Sequence, residues 1–256
     1  MRRIYAYFIS LPLLAIAISA NLSAQDTITV PLRIKAGIDI AGPLVYSANK
    51  NILNTEFFFS ADLSEKKAVY LSTGFLDYKF SQYNYEYTNK GAFLKAGLDF
   101  NFLKPDKAAD KYWAGVGLRY GITVFNSGYP SFSQDNYWGK TISSISRTTH
   151  WAHFLEISPG IRTQIFTNFS MGWNISMRMM LYSGTGKDLK PIYLPGFGNA
   201  QKNISAGVNY YLVWSIPYKK IRVILKKEEP EETDETEGAQ GSSNTGNRQQ
   251  VQRGRQ

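Results

Sequence analysis

The chain has 256 residues, a formal net charge of +9, 14% aromatic residues and no cysteine. Without cysteine there is no disulfide scaffold, no thiolate metal site, no cysteine nucleophile and no lipidated cysteine. Only 19% of the residues are charged, and this combination with many aromatic residues is unusual for a soluble enzyme.

The first 24 residues predict a secretory signal peptide. Arg2 and Arg3 supply positive charge, residues 4–18 are apolar, and Ala24 ends the segment with a small side chain. An uncleaved membrane anchor is disfavoured, because the apolar stretch is shorter than the ~20 residues that span a bilayer and contains Pro12. Since no later segment has the length and apolarity of a transmembrane helix, we expect a soluble exported protein or a membrane β-barrel.

Eight segments alternate apolar and polar residues with the two-residue period of a β-strand. They are 32–40, 56–63, 69–75, 92–102, 114–124, 151–165, 169–179 and 203–214. In the first, Leu32, Ile34 and Ile38 share one face, and Arg33 and Lys35 belong to the other. Apolar residues toward lipid and polar residues inward are typical of outer-membrane barrels. The pattern therefore predicts an all-β fold, an eight-stranded antiparallel transmembrane β-barrel.

The lengths of the connections favour the same interpretation, because such barrels have short periplasmic turns and longer extracellular loops. If residue 25 lies in the periplasm, the second, fourth and sixth connections should be short. They fall at 65–67, 104–111 and 167–168. We expect longer loops of about thirteen residues from Gly42, about ten from Ser81, about twenty-five across 126–150 and about eighteen from Ser183.

A soluble β-sandwich or lipocalin-type barrel is the alternative, since alternation does not say which face points outward. It would bury Phe100, Tyr120 and Trp173 and leave glycines and ions as the solvent face. The signal peptide and the aromatic residues near strand ends, such as Tyr112 and Trp214, favour the membrane.

Several sequence blocks resemble a known family. They are GIDI at 37–40, GAFLKAGLDFNF at 91–102, GLRYG at 117–121, IYLPGFG at 192–198 and IPYKK at 216–220. These blocks resemble an uncharacterised family of Bacteroidota outer-membrane β-barrel proteins, known as a domain of unknown function. The resemblance covers about residues 30–222 and is strongest in the last two blocks, while Gly74 stands where that family tends to have an acidic residue. It implies location and fold rather than an activity; by analogy, an accessory subunit of an outer-membrane assembly complex is one expectation.

A group of ionisable residues is assigned to the inward face. The predicted lumen charge network is Arg33, Lys35, Asp39, Glu56, Asp62, Lys95, Asp99, Arg119, Glu156, Arg162 and Arg178. Since an eight-stranded barrel is just wide enough for side chains to fill, ions inside it must pair or lose hydration without compensation. We expect a structural plug of salt bridges; a proton or ion pathway would use similar residues.

The only cluster that resembles catalytic or metal chemistry surrounds His150 and His153. On a strand these two side chains point to opposite faces, which disfavours a joint zinc site. Ser144 or Ser146 with His150 and Asp135 would mimic the rim site of a lipid-modifying barrel enzyme, but such residues are common in long loops. We expect no enzymatic activity, no metal and no cofactor, since phosphate-binding glycine motifs are also missing.

The end of the chain changes in composition. Seven acidic residues lie between Glu228 and Glu237, followed by a stretch rich in glycine, serine, asparagine and glutamine. We therefore assign 1–24 to the signal peptide, 25–222 to the outer-membrane barrel and 223–256 to a disordered acidic periplasmic tail.

The expected partners are outer-membrane lipid and other envelope proteins, reached through the extracellular loops or the tail. Nucleic acid is not expected, because the basic residues are spread over turns and strand ends. The sequence thus predicts a structural or interaction protein of the outer membrane, with a small-solute channel and a rim-active lipid enzyme as alternatives.

Overall fold

The computed structural model describes residues 27–104, 111–185 and 190–224. The predicted signal peptide and the acidic tail from residue 225 onward lie outside the described residues. The elements are β1 (Thr27–Asp39), α1 (Ala41–Ala48), β2 (Ile52–Asp62), β3 (Lys67–Gln82), β4 (Tyr85–Asn101), β5 (Tyr112–Asn136), β6 (Gly139–Phe166), β7 (Phe169–Ser183), β8 (Tyr193–Leu194), β9 (Gly198–Asn199) and β10 (Ile204–Ile224).

Eight long strands form an antiparallel ring in the order β1, β10, β7, β6, β5, β4, β3, β2. β1 pairs with β10 along its length on one side and with β2 from Ile34 to Ile38 on the other. The predicted all-β, eight-stranded antiparallel arrangement is confirmed. Because each long strand has two neighbours, the backbone groups of its doubly paired part are satisfied within the ring.

The two ends of the ring differ. Thr27 pairs with Ile224 at what we call the proximal end, where the connections 63–66 and 167–168 and the described residues 102–104 and 111 of the connection between β4 and β5 also lie. The opposite, distal end carries the connections 40–51, 83–84 and 137–138 and the described residues 184–185 and 190–203 of the connection between β7 and β10. β10 continues to Ile224, beyond the predicted barrel boundary at residue 222.

Two of the connections that were predicted to be long loops are instead continuations of the strands, joined by short turns. β3 and β4 continue to a turn at Tyr83 and Asn84, and β5 and β6 continue to a turn at Tyr137 and Trp138. We call residues 127–148 the distal hairpin; Ser127 pairs with Thr148 at its base. Strands with polar residues on both faces lack the apolar period that reveals a half-buried strand, so these extensions resembled loops in the sequence.

The first distal connection, also expected to be a loop, contains α1. Asp39 Oδ1 accepts a hydrogen bond of 3.0 Å from the backbone N–H of Ala41 and satisfies one of the free donors at the helix start. Pro43 lies in the first turn, where its missing N–H has no intrahelical partner to lose. The helix ends at Ala48, and the backbone N–H of the following residue, Asn49, donates to the carbonyl of Val45.

Leu32 was assigned to the outward face, and this assignment is wrong. The pairing of β1 with β10 slips between Leu32 and Arg33, which lie opposite Lys219 and Pro217, so Tyr218 is an extra residue on β10. Such a bulge disrupts the regular ladder and shifts the phase of the strand that carries the extra residue, here β10. Beside it, Leu32 is 4% exposed and lines the same cavity as Lys35, an inward residue.

The alternation elsewhere separates an apolar outer face from a polar inner one. Aliphatic and aromatic side chains such as Phe59, Val208 and Ile216 are 58–66% exposed on the outside. Buried inward positions include serines, asparagines and eight of the eleven charged residues that the sequence assigned there, Glu56 and Lys95 among them. No helix among residues 27–104, 111–185 and 190–224 has the length and apolarity needed to cross a bilayer.

Candidate functional site: the charged interior and its distal plug

Glu156 on β6 lies at the centre of the ring and contacts three cations. Its Oε2 is 2.9 Å from Lys95 Nζ and 2.8 Å from Arg178 Nε, and its Oε1 is 2.9 Å from Arg119 Nη1. The carboxylate is 1% exposed. A buried carboxylate needs such partners, because the charged form otherwise loses its hydration without compensation.

Two further acids extend the cluster. Lys95 Nζ is 2.9 Å from Glu56 Oε2, and Arg119 Nη2 is 3.2 Å from Asp99 Oδ1. Three acids and three bases are therefore joined by ion pairs, and their formal charges cancel. A neutral cluster has no net charge with which to attract an ion into the lumen.

An aromatic ring stiffens the same cluster. The hydroxyl of Tyr70 donates to Glu56 Oε1 at 3.1 Å, and the Arg119 guanidinium lies 3.7 Å from the centroid of the Tyr70 ring. Tyr70 packs with Phe58, Tyr211 and Val213 in a buried cluster. Cation–π contact and hydrogen bonding thus fix the orientation of both charged groups.

Asp39 joins the cluster through an amide. Arg178 Nη2 donates to Asn209 Oδ1 at 3.3 Å, and Asn209 Nδ2 donates to Asp39 Oδ2 at 2.8 Å. The second oxygen of Asp39 accepts the backbone N–H of Tyr210 at 3.1 Å as well as that of Ala41. Asp39 therefore connects the central cluster to the start of α1.

The remaining predicted lumen residues lie near the proximal end. Lys35 pairs with Asp62, and Arg33 donates from its backbone N–H to Asp62 Oδ2 at 3.0 Å. The guanidinium of Arg162 lies 5.3 Å from the ring centroid of Trp113. These residues line a vestibule with a cavity of about 70 Å³, which has room for a few water molecules. They form a group apart from the Glu156 cluster, although Asp99 of that cluster also lines the vestibule.

The distal end is filled by a segment of the last distal connection, which we call the plug segment, residues 191–199. Within it Leu194 and Phe197 are fully buried. They pack with Phe125, Ala152 and Phe154 of β5 and β6. The plug segment thus occupies the ring as a small apolar core of its own.

Polar contacts anchor the plug segment to the wall. Arg178 Nη1 donates to the carbonyl of Phe197 at 3.2 Å, and Asn89 Nδ2 donates to the carbonyl of Tyr193. The Tyr193 ring stacks on Tyr78 with centroids 5.2 Å apart. Arg178 therefore belongs to both the charge cluster and the plug.

Two glycines allow the plug segment to turn inside the ring. Gly196 and Gly198 have φ angles of +70° and +95°, which side chains with a Cβ rarely adopt. A Cβ on Gly196 would also lie 2.5 Å from the ring of Phe93. The turn brings Leu194 opposite Gly198 in the short β8–β9 ladder.

Sequence reasoning missed the plug segment. The block IYLPGFG contributed only to the family resemblance, and the connection that contains it was expected to be an external loop. The signal was present in part: apolar residues between glycines are unusual in a solvated loop. The plug segment folds inward because it packs against Phe154. The alternation of residues along β6 does not by itself predict this contact.

The two histidines do not form a joint site. His153 Nδ1 lies 2.8 Å from the hydroxyl of Tyr120, whereas His150 contacts the Gly184 carbonyl and the Thr148 hydroxyl. Within the described ranges, no group of three or more histidine, aspartate or glutamate side chains is arranged to hold a metal.

The hydrolase-like set is not brought together either. Asp135 pairs with Lys140 near the tip of the distal hairpin. At about 3.3 Å per residue, that position is roughly 30 Å along β6 from His150. Ser146 lies about 13 Å from His150 on the same basis, and Ser144 is farther away. These residues therefore do not make a nucleophile–base arrangement of hydrogen-bonded groups.

The comparisons with known proteins concern the chain as a whole. No curated protein matches it. One similar solved structure is Ail, the attachment invasion locus protein of Yersinia pestis, with 10% sequence identity and a TM-score of 0.35 over 76% of this chain and 97% of that chain. The family described as "Domain of unknown function (DUF6048)" matches residues 2–221. The chain therefore belongs to the DUF6048 family.

Proposed function

We propose that this protein crosses the bacterial outer membrane as an eight-stranded β-barrel with a sealed interior. In this proposal the proximal end and both chain termini face the periplasm, and the distal hairpin faces the cell exterior. The role is structural or one of interaction with other envelope components. The observation that carries the proposal is the reversed polarity of the ring, apolar outside and charged inside.

The length of the apolar surface supports a membrane location. On β7 the outward positions from Phe169 to Leu181 are uncharged and mostly large and apolar. These 13 residues extend about 40 Å along the strand, which corresponds to about 28 Å across a bilayer at a tilt of ~45°. Bilayer hydrocarbon is about 30 Å thick, so the two lengths agree.

Charges mark both edges of the apolar surface. On the distal side, the outward-facing Lys90, which is exposed, forms an ion pair of 2.7 Å with the half-buried Asp77. On the proximal side, Lys66, Lys67 and Lys111 are exposed. A soluble lipocalin-type barrel would instead have its apolar residues inside and its charges outside.

The interior supports a sealed protein rather than a channel. Lys95 and Glu156 are each 1% exposed in their ion pairs, and Leu194 and Phe197 fill the distal side. A conducting pore needs a continuous path in which ions bind weakly enough to leave. Here the charged side chains instead fill a narrow lumen and neutralise one another.

Labelling of whole cells tests location and orientation together. The chain has no cysteine, so a single introduced cysteine is the only thiol of the variant. Tyr83→Cys, at the tip of β3 and β4, is expected to react with a membrane-impermeant maleimide in intact cells. Lys66→Cys, at the proximal end, is the matched control and is expected to react only after the outer membrane is permeabilised.

Two results would overturn this proposal. Recovery of the protein in the soluble periplasmic fraction would remove the membrane location. Labelling of Lys66→Cys in intact cells with Tyr83→Cys protected would reverse the orientation.

A further inference from the structure

A cleft outside the ring has the composition of a ligand site. It lies at the distal end between the tip of β3 and β4, the distal hairpin and the plug segment, and its volume is about 630 Å³. This is within the usual size range of small-ligand sites, which combine apolar and aromatic walls with a few polar groups. The residues that line it are Asn84, Tyr85, Tyr129, Phe132, Ser133, Gln134, Ile145, Lys190, Ile192 and Gln201.

The floor of the cleft is aromatic and held from behind. Tyr85 and Tyr129 lie 6.3 Å apart by ring centroids, Phe80 supports Tyr85 at 5.6 Å, and Tyr87 supports Tyr129 at 5.1 Å. Tyr87 is 1% exposed. Because the supporting rings are packed, Tyr85 and Tyr129 are oriented before any ligand arrives, which reduces the entropy lost on binding.

The rim of the cleft is polar and has little charge. Asn84, Gln134 and Gln201 are exposed amides that both donate and accept hydrogen bonds. Lys190 is the one charged side chain among the described residues that line the cleft. Burial raises the pKa of the Tyr129 hydroxyl, so that group remains a hydrogen-bond donor at neutral pH.

We propose that this cleft binds an oligosaccharide. Sugar rings present C–H groups that pack on the electron-rich faces of aromatic rings, and hydroxyls that pair with amides. The floor formed by Tyr85, Tyr129 and Phe132 and the amide rim provide both kinds of contact. The inference depends on the proposed function only for the extracellular position of the cleft.

The backbone of the cleft favours a sugar over a peptide. Tyr85 is paired with Gln82 on one side and Phe132 on the other, and Phe132 is paired with Ser143. No strand edge is free at these positions for a peptide to add to. Nucleic acid would need several cations along the cleft, whereas the described lining supplies only Lys190.

Calorimetric titration of the full chain in detergent micelles tests the proposal. The probes are maltoheptaose, chitopentaose, a heparin-derived octasaccharide and the core oligosaccharide released from outer-membrane lipopolysaccharide; tryptic casein peptides serve as the peptide probe. We expect at least one oligosaccharide to bind with a Kd between about 1 µM and 1 mM. Core oligosaccharide as the sole ligand would indicate a sugar from the cell's own surface, and any of the other three an external source; both support the proposal.

Variants locate the binding. Tyr85→Ala is expected to weaken binding about tenfold or more, and Gln134→Ala, which leaves the aromatic floor intact, about threefold to tenfold. Tyr83→Ala is the matched control, because Tyr83 is 97% exposed near the same tip but does not line the cleft. Its affinity should stay within about twofold of the unmodified chain. Heat-modifiable mobility on SDS gels verifies that each variant is folded.

The proposal is overturned if none of the four oligosaccharides binds, if only the casein peptides bind, or if Tyr83→Ala weakens binding as much as the cleft variants do. Titration in micelles does not depend on cell location. A failure here therefore leaves the whole-cell labelling result intact, and a failure of the labelling leaves the binding result intact.

Discussion

Arg119 shows how a charged residue is accommodated inside the ring. It is 5% exposed and contacts Asp99, Glu156 and the ring of Tyr70. Each partner compensates for part of the hydration that the guanidinium loses, and removal of either acid leaves an unbalanced charge in a low-dielectric interior. The pair of the exposed Lys90 with the half-buried Asp77 keeps more of its hydration and contributes less.

Arg119→Leu is expected to destabilise the folded barrel by about 3–5 kcal/mol, because Asp99 and Glu156 lose a buried partner. The effect is measured in detergent as a decrease in the midpoint temperature at which the protein loses its heat-modifiable mobility on SDS gels. Lys90→Leu, which breaks the more solvated pair with Asp77, is the control and is expected to cost about 1 kcal/mol. Current steps in a planar bilayer with an unchanged midpoint for Arg119→Leu would contradict the sealed interior and support a gated pathway.

For single residues, the alternation of side chains along a strand predicts which face of the ring most of them occupy. The exceptions have physical causes. Alternation assigns Glu156 and Arg178 to the inner face, where the structure places them. It does not reveal that they contact each other, because contacts across the ring depend on strand order and register. Leu32 is an exception: it is buried at the point where an extra residue in β10, Tyr218, disrupts the regular ladder.

Among the elements, the long strands were visible in the sequence and the distal structures were not. A strand half-buried between an apolar and a polar surface has a period of two, and this period identified all eight long strands. Beyond Ser127 and Thr148 the distal hairpin is exposed over much of both faces, so nothing in its hydrophobic pattern distinguishes strand from loop. The plug segment was missed for the opposite reason, since its burial comes from tertiary packing alone.

Replacing residues 128–147 by an Asn-Gly turn between Ser127 and Thr148 tests the independence of the distal hairpin. A two-residue turn of this type suits the paired ends of antiparallel strands. The ring is expected to fold as before, with unchanged heat-modifiable mobility, because the outward apolar surface lies on the proximal side of the deleted residues. Oligosaccharide binding is expected to disappear with Tyr129, Phe132 and Gln134. A shortened chain that no longer shows the mobility shift would mean that the distal hairpin is part of the folding unit.

At the scale of the whole molecule, three properties follow from one arrangement. The ring gives each strand two neighbours, the outside is apolar over about the thickness of a bilayer, and the inside is filled by ion pairs and the plug segment. Composition alone showed only that the aromatic residues were unusual in number. Periodicity assigned many of them to the outward wall, where Phe59 and Trp173 lie. The structure shows in addition that others, such as Tyr70 and Phe154, are buried inside the ring.

Spin-label accessibility along β7 tests the reversed polarity of the ring most directly. Ile175→Cys, Ser176→Cys and Met177→Cys are labelled with a nitroxide, and the folded protein is placed in lipid vesicles. The account predicts that Ile175 and Met177 collide with oxygen, which concentrates in lipid, and are protected from a water-soluble nickel reagent. Ser176, directed inward and buried, should be protected from both. Nickel accessibility at Ile175 and Met177 equal to that of a label in water would contradict the account.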